Sequence, residues 1–99
     1  MCGIAGFISN TSNSLETSSI IQKMIDMITH RGPDDSGIWV DERSQVALGH
    51  RRLSILDLSS AGHQPMISSC SRFILIFNGE IYNHLEVRVK LEATSQGLF

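Results

Sequence analysis

The 99-residue chain has no apolar run approaching about 18 residues, which excludes a membrane-spanning helix. It has little cysteine. Cys2 and Cys70 stand alone and far apart, too few for a disulfide framework or a cysteine-based metal site, and no metal is expected. It has no basic excess: eight Lys and Arg against ten Asp and Glu give a net charge of −2. Nucleic-acid binders concentrate positive charge, so nucleic acid is not expected as a partner. The amino end, Met-Cys-Gly-Ile-Ala-Gly-Phe-Ile, lacks the basic opening of a secretory signal. Internal repeats and marked domain boundaries are missing as well. What remains is a composition of 41% hydrophobic and 18% charged residues, that of one small globular domain. The expectation is a soluble, cytoplasmic protein with no membrane contact.

The pattern along the chain mixes strands and helices. Gly3 to Ile8 is a short apolar run that predicts a buried strand. Ser9 to Ser14 is polar and predicts a loop, with Thr17, Ser18 or Ser19 as the cap of the helix that follows. Ile20, Ile21, Met24, Ile25 and Ile28 recur at spacings of three and four, one apolar helical face ending near Thr29. Residues 30–37 are dense in Gly, Pro and Asp and predict a loop. Ile38 to Val40 and Gln45 to Gly49 predict a hairpin, and Arg51 to Leu58 an extended segment at a sheet margin. Arg72 to Phe77 is the strongest strand signal, apolar on both faces, and a helix is predicted from about Asn83. The last residues, Leu98 and Phe99, read as the start of a further strand, so the chain is expected to be a fragment.

Three groups of residues invite a chemical reading. Cys2 follows the initiator Met1, and its small side chain suits removal of that methionine. The freed α-amine, with a pKa of about 7.7–8.0, would then stand beside the thiol as its general base. Position alone fits better a small apolar residue at the start of a strand. Arg31, Arg51 and Arg52 could grip a carboxylate through the planar guanidinium fork, or serve as surface ion-pair partners. Asn78-Gly79-Glu80 follows the most apolar strand. An Asn side-chain N–H with a closely approaching Gly backbone N–H is the donor pair that an oxyanion hole needs, although Asn-Gly also makes a plain turn.

Taken in order, five motifs fall into register: Cys2-Gly-Ile-Ala-Gly, His30-Arg31-Gly32-Pro33-Asp34 with Ser36-Gly37, Gly49-His50-Arg51-Arg52-Leu53-Ser54-Ile55, Gly62-His63-Gln64-Pro65-Met66, and Phe77-Asn78-Gly79-Glu80-Ile81-Tyr82-Asn83-His84. Together they resemble the glutaminase domain of glutamine-hydrolysing asparagine synthetases, a branch of the class II glutamine amidotransferases and of the N-terminal-nucleophile hydrolases. Hexosephosphate aminotransferases are a poorer match, because this chain has Pro33 and Arg52-Leu53-Ser54 where they carry other residues. The resemblance implies an α+β fold, the first part of a four-layer αββα sandwich of antiparallel sheets.

It also implies roles. Cys2 would attack the side-chain amide of glutamine. Arg52 would bind the glutamine α-carboxylate, with the backbone of Leu53, Ser54, Ile55 and Leu56 lining the same pocket. Asn78 and Gly79 would form the oxyanion hole, and Glu80 would help hold the α-amino group. His30 and Arg31 would pack near the nucleophile without an assigned step, and Cys70 would be a turn or strand-edge residue. Residues 1–99 would be a partial domain, lacking a Gly-Ser-Asp-type motif and the synthetase domain. ATP and Mg2+ would act in that synthetase domain, with aspartate as acceptor and a homodimer as the parent's assembly. The fragment itself would need no cofactor. Two alternatives accompany this reading: amidation of another carboxylate, such as a polysaccharide sugar acid, or an inactive truncated product.

Overall fold

Strand β1 spans Gly3–Ile8, the apolar run at the amino end, but it is not the buried strand expected: Gly3 alone of its residues is buried, and the alternate residues Ile4, Gly6 and Ile8 face outward and are exposed. The computed structural model describes residues 2–9, 14–54 and 62–95. After β1 come helix α1 (Ser14–Asp26), a 3-10 turn (Thr29–Arg31), strands β2 (Asp35–Asp41) and β3 (Val46–Arg52), the short strands β4 (Met66–Ile67) and β5 (Ile74–Leu75), and helix α2 (His84–Ser95). β1, β3 and β2 form an antiparallel sheet in that order, with β3 central, and β4 pairs antiparallel with β5. The α+β class expected from the sequence is the one observed. Among the described residues no helix is long and apolar enough to cross a membrane.

The β2–β3 hairpin is longer than its apolar residues suggest. Pairing runs from Asp35↔Arg52 to Asp41↔Val46, taking in polar residues that a hydrophobic pattern does not mark. The Asp41 carboxylate closes the turn by accepting from the Arg43 N–H at 3.1 Å and the Ser44 hydroxyl at 2.6 Å. Gln45 completes it in the left-handed region at φ 56°. Arg51 and Arg52, expected in a separate margin segment, are therefore the last two residues of β3.

α1 lies on one face of the sheet. Ile21 and Ile25 are buried there, over buried Ala47 of β3. Gly49 makes the approach possible, since a Cβ on it would collide with Ile25 and come within 3.2 Å of Ile21. The helix begins at Ser14, ahead of the expected caps. Thr17 is one turn inside it and buried at 1% exposure, four residues before buried Ile21 on the same helical face. Ile20, counted with the apolar face, stands at its margin and is exposed. The Thr29 hydroxyl caps the carboxyl end by donating to the Asp26 carbonyl at 2.7 Å.

Side chains alternate across a strand, so His50 and Arg52 occupy the sheet face opposite Gly49 and α1. His50 is 1% exposed, and its Nε2 has no hydrogen-bond partner among the described residues.

The strand expected over Arg72 to Phe77 is a correction: only Ile74–Leu75 pairs, and Phe73 and Leu75 are exposed. Its partner β4 is two residues long. Beyond the pair, the backbone is taken up by side chains. Phe73 N–H donates to the Ser68 hydroxyl at 3.1 Å, and Phe77 N–H to the Gln64 side-chain oxygen at 2.6 Å. The predicted second helix forms, but its described side chains are all exposed, Leu85 and Val89 included. Arg88–Glu92 and Lys90–Glu86 ion pairs run along its surface. Leu98 and Phe99 lie outside the described residues.

Two outcomes follow for stability. Ile25→Ala should cost about 2–5 kcal/mol by urea denaturation of the full chain, through the cavity left under α1. Ile20→Ala should stay within roughly 1 kcal/mol. Equal losses would mean that α1 is rotated from the orientation described. The second outcome is a pH dependence. Burial holds the His50 pKa below its ordinary value of 6.5, against a smaller opposing pull from the Phe77 backbone and the Asp35 charge. As pH falls, the unfolded chain takes up this proton first. Stability is therefore complete above about pH 6.5 and declines from there until the lower folded pKa is reached, by at most ~1.4 kcal/mol per pH unit. His50→Gln should flatten that slope, and an unchanged slope would assign it to another group.

Candidate active site

The site grows from one strand pairing. β1 and β3 run antiparallel with Gly3 opposite Arg51. One residue further out, Cys2 comes beside the end of β3. There Leu53 N–H donates to Cys2 Sγ at 3.4 Å. The free thiol is half-buried. From the 3-10 turn, Arg31 Nε donates to the Cys2 carbonyl at 3.1 Å, so the first residues of β1 are held from two sides.

Arg52, next to Leu53, is 8% exposed. Gly62 lies flush against its guanidinium: a Cβ there would sit 2.5 Å from Nη2 and 2.7 Å from Cζ. Opposite Arg52, Asp35 carries a short hydrogen bond from His63 Nδ1 to Oδ2, 2.6 Å long. This bond is the main cause holding the Asp35 carboxyl below the usual carboxylate range, with smaller help from the Ser36 N–H and the His63 and Arg52 charges and a smaller opposing effect of burial. Asp34 secures the backbone beyond β3. Its N–H donates to the Arg52 carbonyl at 3.0 Å, and its Oδ2 accepts from Ser54 N–H at 2.8 Å. Arg51 faces the other way and donates through Nε to the Gly32 carbonyl at 2.9 Å.

Cys2, Arg52, Leu53 and Ser54 are thus brought together at one end of β3. Ile55 and Leu56 lie outside the described residues. Asn78, Gly79 and Glu80 are exposed in the turn between β5 and α2. The Phe77 backbone just before them is tied to Gln64. Cys70 stands in the β4–β5 turn, as expected. It is exposed and 3.4 Å from the Ser68 hydroxyl, whose hydrogen bond, with the Arg72 backbone, draws its thiol pKa down. Among the described residues no group of three or more His, Cys, Asp or Glu side chains could hold a metal ion.

The contacts of Asp34, Asp35, His63 and Gln64 are additions to the sequence reading. Asp34, His63 and Gln64 lie in the quoted motifs and Asp35 falls between two quoted segments, which is the only signal the sequence offered for them. The Asp35–His63 contact joins residues 28 positions apart, beyond the reach of any local pattern. Chemically, a thiol is held by the backbone of the residue next to Arg52, whose buried guanidinium has the two-pronged fork that suits a carboxylate. Such a pair suits a small substrate with a carboxylate at one end and an electrophilic carbon at the other.

The chain is similar in sequence to known proteins. The family model for the glutamine amidotransferase domain matches residues 1–98. Glutamine-hydrolyzing asparagine synthetase 1 of Bacillus subtilis (strain 168) is 42% identical over 95 residues, which is 94% of this chain and 15% of that protein. Glutamine-hydrolyzing asparagine synthetase 2 of the same organism is 41% identical over 93 residues, 92% of this chain and 12% of that protein. Amidase chry2 of Gibberella zeae (strain ATCC MYA-4620 / CBS 123657 / FGSC 9075 / NRRL 31084 / PH-1) is 35% identical over 100 residues, 92% of this chain and 15% of that protein. The chain therefore spans no more than about a seventh of the length of these relatives. With its family model matched almost end to end, the chain belongs to the glutamine amidotransferase domain family.

Proposed function

We propose that this chain is the glutamine-hydrolysing part of an asparagine synthetase, an N-terminal-nucleophile enzyme working in the cytoplasm. The contact that carries the reading is the Cys2 sulfur held by Leu53 N–H directly after Arg52. With Met1 removed, the Cys2 α-amine takes the thiol proton and the sulfur attacks the side-chain amide carbon of glutamine. The negative charge on the former carbonyl oxygen is met by the Asn78 side-chain N–H and the Gly79 backbone N–H. The C–N bond then breaks, and the leaving nitrogen takes the proton from the amine and departs as ammonia. A γ-glutamyl thioester remains, and water hydrolyses it to glutamate and free Cys2. Arg52 holds the substrate α-carboxylate, the backbone of Leu53, Ser54, Ile55 and Leu56 lines the pocket, and Glu80 helps to hold the α-amino group.

The ammonia is used in the part of the parent protein outside these 99 residues, where aspartate is activated by ATP with Mg2+ and amidated to asparagine. No described residue of this chain forms a metal site, so Mg2+ is assigned no ligand here. The parent is proposed to assemble as a homodimer.

Two measurements test this. An uncleavable N-terminal tag, or Cys2→Ala, should abolish glutamine-dependent synthesis by the full-length protein while ammonia-dependent synthesis persists. A tagged enzyme that hydrolyses glutamine normally would remove Cys2 from its role. Arg52→Lys should raise the KM for glutamine by about tenfold or more with a smaller change in kcat, since lysine keeps the charge but loses the planar fork. Arg51→Lys, on the opposite face of β3, should change KM far less. Equal effects would place the carboxylate one residue away from Arg52.

A further inference from the structure

We infer that the segment from Gly62 to Gln64 is a brace that positions both halves of the glutamine site, Gly62 and His63 setting the Arg52 guanidinium and Gln64 setting the backbone that leads into Asn78. The inference rests on the glutaminase reading above and adds positioning residues to it.

Three contacts carry it. First, the segment is seated on β2 at two residues of one face. His63 Nδ1 lies 2.6 Å from Asp35 Oδ2. Two residues along, the space that a Gly37 Cβ would need is filled by the Gln64 carbonyl oxygen and by the His63 ring at 2.9 Å. A strand of the central sheet thereby fixes the segment's position. Second, the segment so placed runs its Gly62 backbone against the Arg52 guanidinium, closing one side of that group. Third, the Gln64 side chain reaches in another direction, and its Oε1 accepts the Phe77 N–H at 2.6 Å. Phe77 directly precedes Asn78. Three consecutive residues thus touch the proposed carboxylate anchor at one end and the approach to the proposed oxyanion donors at the other.

The two ends act on different stages of the reaction. A carboxylate anchor is engaged in the ground state and the transition state alike, so loosening it raises KM. Oxyanion donors act on charge that develops only in the transition state, so displacing them lowers kcat. A loop that merely stabilises the fold would not divide its effects in this way.

The test is steady-state glutamine hydrolysis by the full chain as its gene encodes it, with amide hydrogen exchange as a second readout. His63→Ala should raise KM about fivefold or more with kcat within about twofold, and His63→Asn, which places an amide nitrogen near the Nδ1 position, should restore most of the loss. Gly62→Ala, which brings a methyl group against Arg52, should raise KM in the same way. Gln64→Leu should lower kcat about tenfold with little change in KM, and Gln64→Glu, which keeps an acceptor oxygen, should recover it. Exchange of the Phe77 amide should speed up in Gln64→Leu and return to the parent rate in Gln64→Glu. If Gln64→Leu does not fold, Gln64→Asn, with a shorter reach, serves in its place. Parallel changes in kcat and KM for both positions, or a Phe77 amide indifferent to Gln64, would overturn the brace. A parent protein with a free Cys2 and no glutamine hydrolysis would overturn the glutaminase reading instead, and the Phe77 exchange rates would still decide the contact.

Discussion

The pairing of β1 with β3 is the constraint on which the rest of the site depends. An antiparallel ladder fixes which residues stand opposite each other, and a shift of one residue would move every side chain to the other face. With Gly3 opposite Arg51, Cys2 comes level with the last residues of β3, and its sulfur reaches Leu53 N–H. The same alternation sends Arg51 to one side of the sheet and Arg52 to the other. Two adjacent arginines of identical chemistry therefore have unrelated partners, Gly32 for the first and the Gly62 backbone for the second.

Residues 31–35 act as the second organiser, and they do so with consecutive contacts. Arg31 holds the Cys2 carbonyl, the Gly32 carbonyl receives Arg51, Asp34 takes the Ser54 N–H, and Asp35 takes His63. One short polar stretch thus ties down the amino terminus, the end of β3 and the segment that follows. These bonds are charge-assisted or directed at backbone groups, so each fixes a direction as well as a distance. The apolar contribution comes from the other side of the sheet, where Ile21 and Ile25 pack over Gly49 and Ala47.

Much of this was legible in the sequence, and the gaps have physical causes. β1 was readable to its bounds because its apolar run ends at polar residues on a short strand. The buried pair on α1 was readable because Ile21 and Ile25 repeat at helical spacing. The hairpin was read too short, since backbone pairing continues through Asp35, Ser36, Arg51 and Arg52 regardless of polarity. The run from Arg72 to Phe77 was read as more regular than it is, because hydrophobicity does not say whether a partner strand is present to receive its hydrogen bonds. Of the site, Cys2 and Arg52 were legible from motifs and stand together. The partnership of Asp35 with His63, and of Gln64 with Phe77, depends on tertiary placement that no local window contains.

The position of β1 at the edge of the sheet has a consequence for the order of events during synthesis. Among the described residues its only strand partner is β3, and Cys2 meets Leu53, 51 positions later in the chain. At translation rates of about 5–20 residues per second, roughly 3–10 s separate the appearance of the two. Throughout that interval the first residues are without the ladder that they form with β3. Once β3 arrives, Leu53 N–H and Arg31 close around Cys2 from two sides. Pairing of the amino-terminal strand therefore waits, by topology, on the synthesis of β3.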